Sequence, residues 1–214
     1  IHAYAFQNCL FEKIDIPDSV TTMSARAFYN CTKLSEVGYP AGWTTVLNYY
    51  TNNTTSYNDG NSYYTSPFEG CTALKKLRVA EGVTMIPKHA FRKATGLEEV
   101  VLPSTLNAIE YGAFYGCTAL QKISFSSENN VQIISQSAFE GCNLQDTVDL
   151  SAVCVISNYA FAGNQDLKGI ICLFDQCVAD TAFSDMKNGI YRVCKAFQVC
   201  SLFTCHLNSP ILFL

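Results

Sequence analysis

Ala113-Phe114-Tyr115-Gly116-Cys117-Thr118-Ala119-Leu120-Gln121-Lys122-Ile123-Ser124-Phe125 is the stretch that decides the fold. Its Ala-Phe pair recurs, with phenylalanine at Phe6, Phe28, Phe91, Phe114, Phe139, Phe161 and Phe183 and a Pro67-Phe68 variant. Successive intervals are 22, 40, 23, 23, 25, 22 and 22 residues, a period of about 23 with one long gap. A fixed period of this size marks an array of stacked units, so it takes precedence over any local reading.

Other columns lock to the phenylalanine. Five residues before it stand Ile1, Met23, Tyr63, Ile86, Ile109, Ile134, Ile156 and Val178. Three residues after it stand Cys9, Cys31, Cys71, Ala94, Cys117, Cys142, Asn164 and Met186. A leucine follows in most turns, and then an alternating pair such as Leu77/Val79, Val100/Leu102 or Ile123/Phe125. Alternation of that kind is a short strand with one buried face. Pro17, Pro40 and Pro103 close three of these strands, since proline cannot donate to a ladder. Asn8, Asn30, Gly70, Gly116 and Gly141 stand just before the cysteine and predict a turn there. One such unit cannot bury its own apolar face, and stacking makes a continuous core.

The pattern Ala-Phe-x-Gly-Cys-x-x-Leu-x-x-Ile-x-Leu-Pro resembles the BspA-like leucine-rich repeats, best in Ala113–Phe125 and Ala90–Pro103. The resemblance covers roughly residues 1–183 apart from one insertion. It implies an α/β-type but strand-dominated leucine-rich-repeat solenoid, curved, of about eight turns. Each turn of about 23 residues is expected to hold one short parallel strand and a coil or short-strand return. The solenoid is expected over residues 1–193, with an atypical cysteine-rich tail or cap at 194–214. The resemblance further implies a cell-surface or secreted protein that adheres to a host or matrix protein, or to another copy.

Composition agrees with a packed array. Apolar residues make up 49% and charged residues 15%, enough for a core and too apolar for disorder. A net charge of −4 gives no electrostatic reason to bind nucleic acid. No apolar run reaches the 18 or so residues of a transmembrane helix. The start, Ile1-His2-Ala3-Tyr4, shows no signal peptide.

Eleven cysteines would suggest a disulfide scaffold, but five of them are a repeat position. Ala94 and Asn164 take the same place, which suits small buried fillers of a turn. Stacked equivalents about 4.8 Å apart with parallel side chains also fit disulfide geometry poorly. In the tail, Cys194, Cys200, Cys205 and His206 are suitable zinc ligands by type, but their spacing matches no standard site. No metal and no cofactor is expected, and the tail reads as a degenerate capping repeat or a loose end. His89 stands two before Phe91 in a column of mixed residues, and reads as an exposed variable site. No histidine has a nucleophile and orienting acid nearby, and no phosphate loop appears, so no catalytic residue is assigned.

Two sets of residues are candidates for binding. The first is the insertion, placed at 41–65, which exceeds one period by 17 residues. It carries Trp43, Tyr49, Tyr50, Tyr57, Tyr63 and Tyr64 among Asn, Thr, Ser and Gly, a composition found in adaptable binding loops. The same segment also reads as a hairpin covering one edge of the solenoid. The second set is Lys75, Lys76 and Arg78 on one strand with Glu98 and Glu99 on the next. These read either as cross-strand ion pairs or as a docking face. Two further functions stay open: an intracellular scaffold within a larger assembly, and a carbohydrate-binding module using the Trp43 region.

Overall fold

The computed structural model describes residues 1–47, 65–125, 130–172, 177–186, 191–194 and 211–213. Its strands, in chain order, are β1 (Lys13–Asp15), β2 (Thr22–Ser24), β3 (Glu36–Gly38), β4 (Thr45–Leu47), β5 (Lys76–Arg78), β6 (Met85–Ile86), β7 (Glu99–Val101) and β8 (Ala108–Ile109). They continue as β9 (Lys122–Ser124), β10 (Ile133–Ile134), β11 (Thr147–Asp149), β12 (Val155–Ile156), β13 (Gly169–Cys172), β14 (Cys177–Val178), β15 (Tyr191–Cys194) and β16 (Ile211–Phe213). Among the described residues there is no helix.

Two sets of parallel strands run up the solenoid. The expected x-Ile-x-Ile segments form the first, ordered β1-β3, β5-β7-β9 and β11-β13-β15-β16. The return is also stranded: β2-β4 and β6-β8-β10-β12-β14 form a second, narrower sheet. Register is one turn per strand, with Leu77, Val100 and Ile123 in one row and Ile86, Ile109, Ile134 and Ile156 in another. In the tail, Ile211–Phe213 pairs with β15 and extends the first sheet.

Between the sheets the phenylalanines form one stack. Phe6, Phe28, Phe68, Phe91, Phe114, Phe139, Phe161 and Phe183 lie with successive ring centroids 4.9–5.6 Å apart and interplanar angles of 2–17°. The six inner rings are buried, while the two end rings are half-buried. A third ladder holds this segment: the Phe114 N–H donates to the Ala138 carbonyl at 2.8 Å, and Phe6, Phe91, Phe139 and Phe161 repeat the bond. The pairing is modified at Phe68. There the Ser66 hydroxyl accepts from the Phe68 N–H at 2.9 Å and donates to the Ala90 carbonyl at 2.8 Å, bridging the gap.

The turn expected before the cysteines is left-handed: Asn8, Asn30, Gly70, Gly116 and Gly141 all have positive φ, as does Gly163 before Asn164. The His89 column does so too, at Tyr4, Arg26, His89, Gly112, Ser137 and Tyr159. It is not an exposed variable site as a whole. His89 and Ser137 are buried, because the turn lays their side chains along the neighbouring repeat, and the His89 ring meets Tyr111 edge-on at 5.1 Å.

The cysteine column does more than fill space. The thiols of Cys31, Cys71, Cys117 and Cys142 lie 2.9–3.2 Å from the carbonyl oxygens of Phe6, Phe28, Phe91 and Phe114 and donate to them. Where asparagine replaces cysteine, Asn164 Nδ2 donates to the Phe139 and Phe161 carbonyls, both at 2.8 Å. The column therefore supplies a donor to a backbone acceptor in a dry place, and a buried acceptor left without one would be costly. Burial pushes the Cys71 thiol up to about 12 and raises Cys31 and Cys142 as well, so these groups stay protonated.

The insertion is shorter than the 41–65 expected from sequence. Ala41–Leu47 belongs to the solenoid, since Thr45, Met23's neighbour Val46, and Leu47 pair with Thr22, Met23 and Ser24. Val46 therefore continues the column of Met23. Gly42 shows how closely this turn lies on the one before it: a Cβ there would sit 2.1 Å from the Asp18 carbonyl oxygen.

Candidate binding surface

Trp43 occupies a buried column that the sequence pattern also contains: Val20, Trp43, Val83, Leu106, Val131 and Val153, each three residues before the strand isoleucine or its equivalent. It is 1% exposed, and its indole Nε1 donates to the Thr45 carbonyl at 2.9 Å. Its ring meets Phe68 and Phe91 edge-on at 6.2 and 6.0 Å and Tyr39 at 5.3 Å. The Tyr39 hydroxyl reaches the Met85 carbonyl at 3.4 Å, and burial raises its pKa. Both sheets are interrupted here, between β3 and β5 and between β4 and β6. Two large aromatics pack this seam where valine suffices elsewhere. Trp43 is thus a core residue, not a contact residue. Tyr49, Tyr50, Tyr57, Tyr63 and Tyr64 lie outside the described residues.

What the structure does place is the root of the insertion. The Ala25 N–H donates to the Leu47 carbonyl at 2.8 Å, and the Arg26 N–H to the Ser66 carbonyl at 3.1 Å. The chain therefore departs and returns beside consecutive residues. Arg26 forms a bidentate ion pair with Glu69, and the Thr65 hydroxyl donates to the same carboxylate at 2.8 Å. The Glu69 hydrogen bond is the main reason the Arg26 guanidinium is held even more firmly protonated than usual. Arg26 also reaches the Tyr4 hydroxyl at 3.2 Å and lies 5.4 Å from the centre of the Tyr29 ring. No single-residue pattern marked this cluster. Its members come from three different turns, and only the stacking register joins them.

The charged residues stand on the first sheet, away from that root. Lys75 pairs with Glu98 at 2.9 Å, and Lys76 with Glu99 at 2.7 Å. Lys122 approaches Glu99 from the other side at 3.7 Å. Lys13–Glu36 at 2.8 Å repeats the motif lower in the stack. The carboxyl of Glu99 is held below its ordinary range, chiefly by its hydrogen bond to Lys76. These are the cross-strand pairs expected from the register, and being exposed they contribute little stability individually. Arg78 is different. Its row continues through Val101 and Ser124, with no acid opposite, and among the described residues it enters no ion pair. Its guanidinium faces solvent on a strand whose position is fixed by Leu77 beneath it. Of the first set only Trp43 is described, and it lies in the core, not on this face. Among the described residues, no group of three His, Cys, Asp or Glu side chains has metal-binding geometry.

Two parallel sheets, an internal aromatic stack and a turn of about 23 residues define a leucine-rich-repeat solenoid. Residues 1–61 and 57–168 match the model of the BspA type leucine-rich repeat region, in six copies, and the chain belongs to this family. A comparison with curated proteins finds no match. Among solved structures, the pneumococcal vaccine antigen PcpA is 20% identical over 79% of this chain and 33% of its own, with a TM-score of 0.42. A leucine-rich repeat protein from Bacteroides ovatus is 19% identical over 91% of this chain and 58% of its own, with a TM-score of 0.44. A leucine-rich cell surface protein from Faecalibacterium prausnitzii is 19% identical over 88% of this chain and 64% of its own, with a TM-score of 0.37. The chain thus spans less than two thirds of each of these proteins. Among the described residues, no helix is long and apolar enough to cross a membrane.

Proposed function

We propose that the chain is a non-catalytic, protein-binding repeat module that acts in adhesion at a cell surface. Its membership of the BspA type leucine-rich repeat family over residues 1–168 supports this reading. The observation that carries it is the exposed face of β5, β7 and β9. Lys76 and Lys122 share the Glu99 carboxylate there, and Arg78 adds a cation with no acid in its row, on a strand fixed by the buried Leu77. Arginine in such a setting makes bidentate contacts with a partner's carboxylates and is among the residues most enriched at hot spots.

The test presents immobilised chain with a panel of extracellular-matrix and cell-surface proteins. Binding of at least one of them is expected, and Arg78→Glu should weaken it about tenfold or more while the unfolding midpoint stays unchanged. Binding indifferent to Arg78→Glu would take this face out of the account. A panel without any binding counts against adhesion itself.

A further inference from the structure

We propose that the outer face of the second sheet is a self-association surface, on which two copies of the chain pack about a two-fold axis. The axis would run along the strands between β8 and β10. This inference does not rest on the adhesive reading, because it concerns the other sheet and a different occupant.

Four neighbouring strands of the second sheet, β6, β8, β10 and β12, present a row of outward side chains in strict register, Met85, Ala108, Ile133 and Val155, which β14 extends by one strand. Ile133 is 40% exposed, and the other three are half-buried at their edges. The four strands and the residue before each, 84–86, 107–109, 132–134 and 154–156, contain no charged residue. The first sheet is the opposite, with Lys76, Arg78, Glu99 and Lys122 across three strands. Charged side chains are a common guard against unwanted association, and this apolar row carries none. For a chain of net charge −4, two identical copies repel generally. This face is where they meet at least electrostatic cost.

The order of sizes along the row argues for a second copy rather than an unrelated partner. A two-fold axis between β8 and β10 reverses strand order, so residue i of one copy faces residue j of the other and the reverse. Ile133 of each copy then meets Ala108 of the other, and Met85 meets Val155. Large side chains face smaller ones, as interdigitating layers require. Flanking rows obey the same operation. Asn107 faces Gln132, both exposed amides able to donate and accept at once. Glu110, the nearest acid, faces the Ser135 hydroxyl instead of its own equivalent. Four strands at about 4.8 Å span about 14 Å, so the contact is small and the association weak.

The measurement is sedimentation equilibrium of the full chain under reducing conditions, which exclude a disulfide through the exposed Cys154. A monomer–dimer equilibrium with a dissociation constant on the order of 10–100 μM is expected. Ile133→Glu should raise that constant at least about tenfold, because it desolvates a charge at the contact. Ala108→Ile should also weaken the dimer, by setting two large side chains against each other. The double exchange Ala108→Ile with Ile133→Ala should restore it. Each variant's unfolding midpoint, expected near the parent's, confirms folding. A chain that stays monomeric at several hundred micromolar overturns the proposal, as does dimerisation unaffected by Ile133→Glu. Open-ended assemblies, or failure of the double exchange to recover the dimer, overturn the two-fold arrangement.

Discussion

Phe114→Ala is expected to lower the free energy of unfolding by about 3–5 kcal/mol, the range for a large-to-small change in a packed core. The ring is fully buried between those of Phe91 and Phe139, with centroids 5.4 and 5.1 Å away. Its removal opens a cavity in the middle of the stack that neither neighbour can fill, since each is held by its own N–H ladder bond. In a repeat array each unit is stabilised by its neighbours, so the substitution weakens two interfaces at once. Phe6→Ala makes the control. Phe6 has one stacked neighbour, Phe28, and is half-buried, so its loss should cost clearly less. Urea unfolding reads both values. A midpoint unmoved by Phe114→Ala would dispose of the stacked-core account.

Trp43→Ala should be comparably damaging, at about 3–5 kcal/mol. At the seam it fills both sheets are interrupted, so among the described residues no strand pairing joins β3 to β5 or β4 to β6. Trp43→Phe should retain much of the packing but lose the indole hydrogen bond to the Thr45 carbonyl, at a cost of about 1 kcal/mol. As the chain has a single tryptophan, its fluorescence reports this site alone. Native emission should be blue-shifted and protected from iodide quenching, and should become quenchable on unfolding. Emission already red-shifted and fully quenchable in the native protein would return Trp43 to the surface.

Both predictions concern aromatic residues, yet the sequence disclosed them unequally. The Phe column is legible because its spacing holds in six of seven intervals and a small residue stands before nearly every ring. Trp43 is misleading because its neighbours to the C-terminal side are the tyrosines and asparagines of the insertion. Composition groups it with them, whereas register places it over Val20. The second sheet was harder still. Its strands from β6 to β14 are only two residues long, too short for alternation to show, and they appear only once turns are stacked. The cysteine column was visible as a column, but its hydrogen bonds were not. Nothing in a one-dimensional pattern says that a thiol reaches the carbonyl one turn below.

The binding surface follows the same division. Cross-strand pairing of Lys75 with Glu98 and of Lys76 with Glu99 follows from the period, because one turn puts the residues side by side. That Arg78 is left over follows from the identity of Val101 and Ser124 in its row, which requires the register to be known to the residue. The self-complementary order of Met85, Ala108, Ile133 and Val155 has no counterpart in any local motif.

Thiol mapping tests the stacked register most directly. The native chain is treated at about pH 8 with a small alkylating reagent, and the modified cysteines are located by mass spectrometry as a function of time. Cys31, Cys71, Cys117 and Cys142 are buried, with their thiol hydrogens on the carbonyls of the neighbouring turn. They should remain unmodified until the chain is unfolded, while the exposed Cys154 reacts at once. Labelling of those four at the rate of Cys154, or a disulfide between any two of them, would contradict the account.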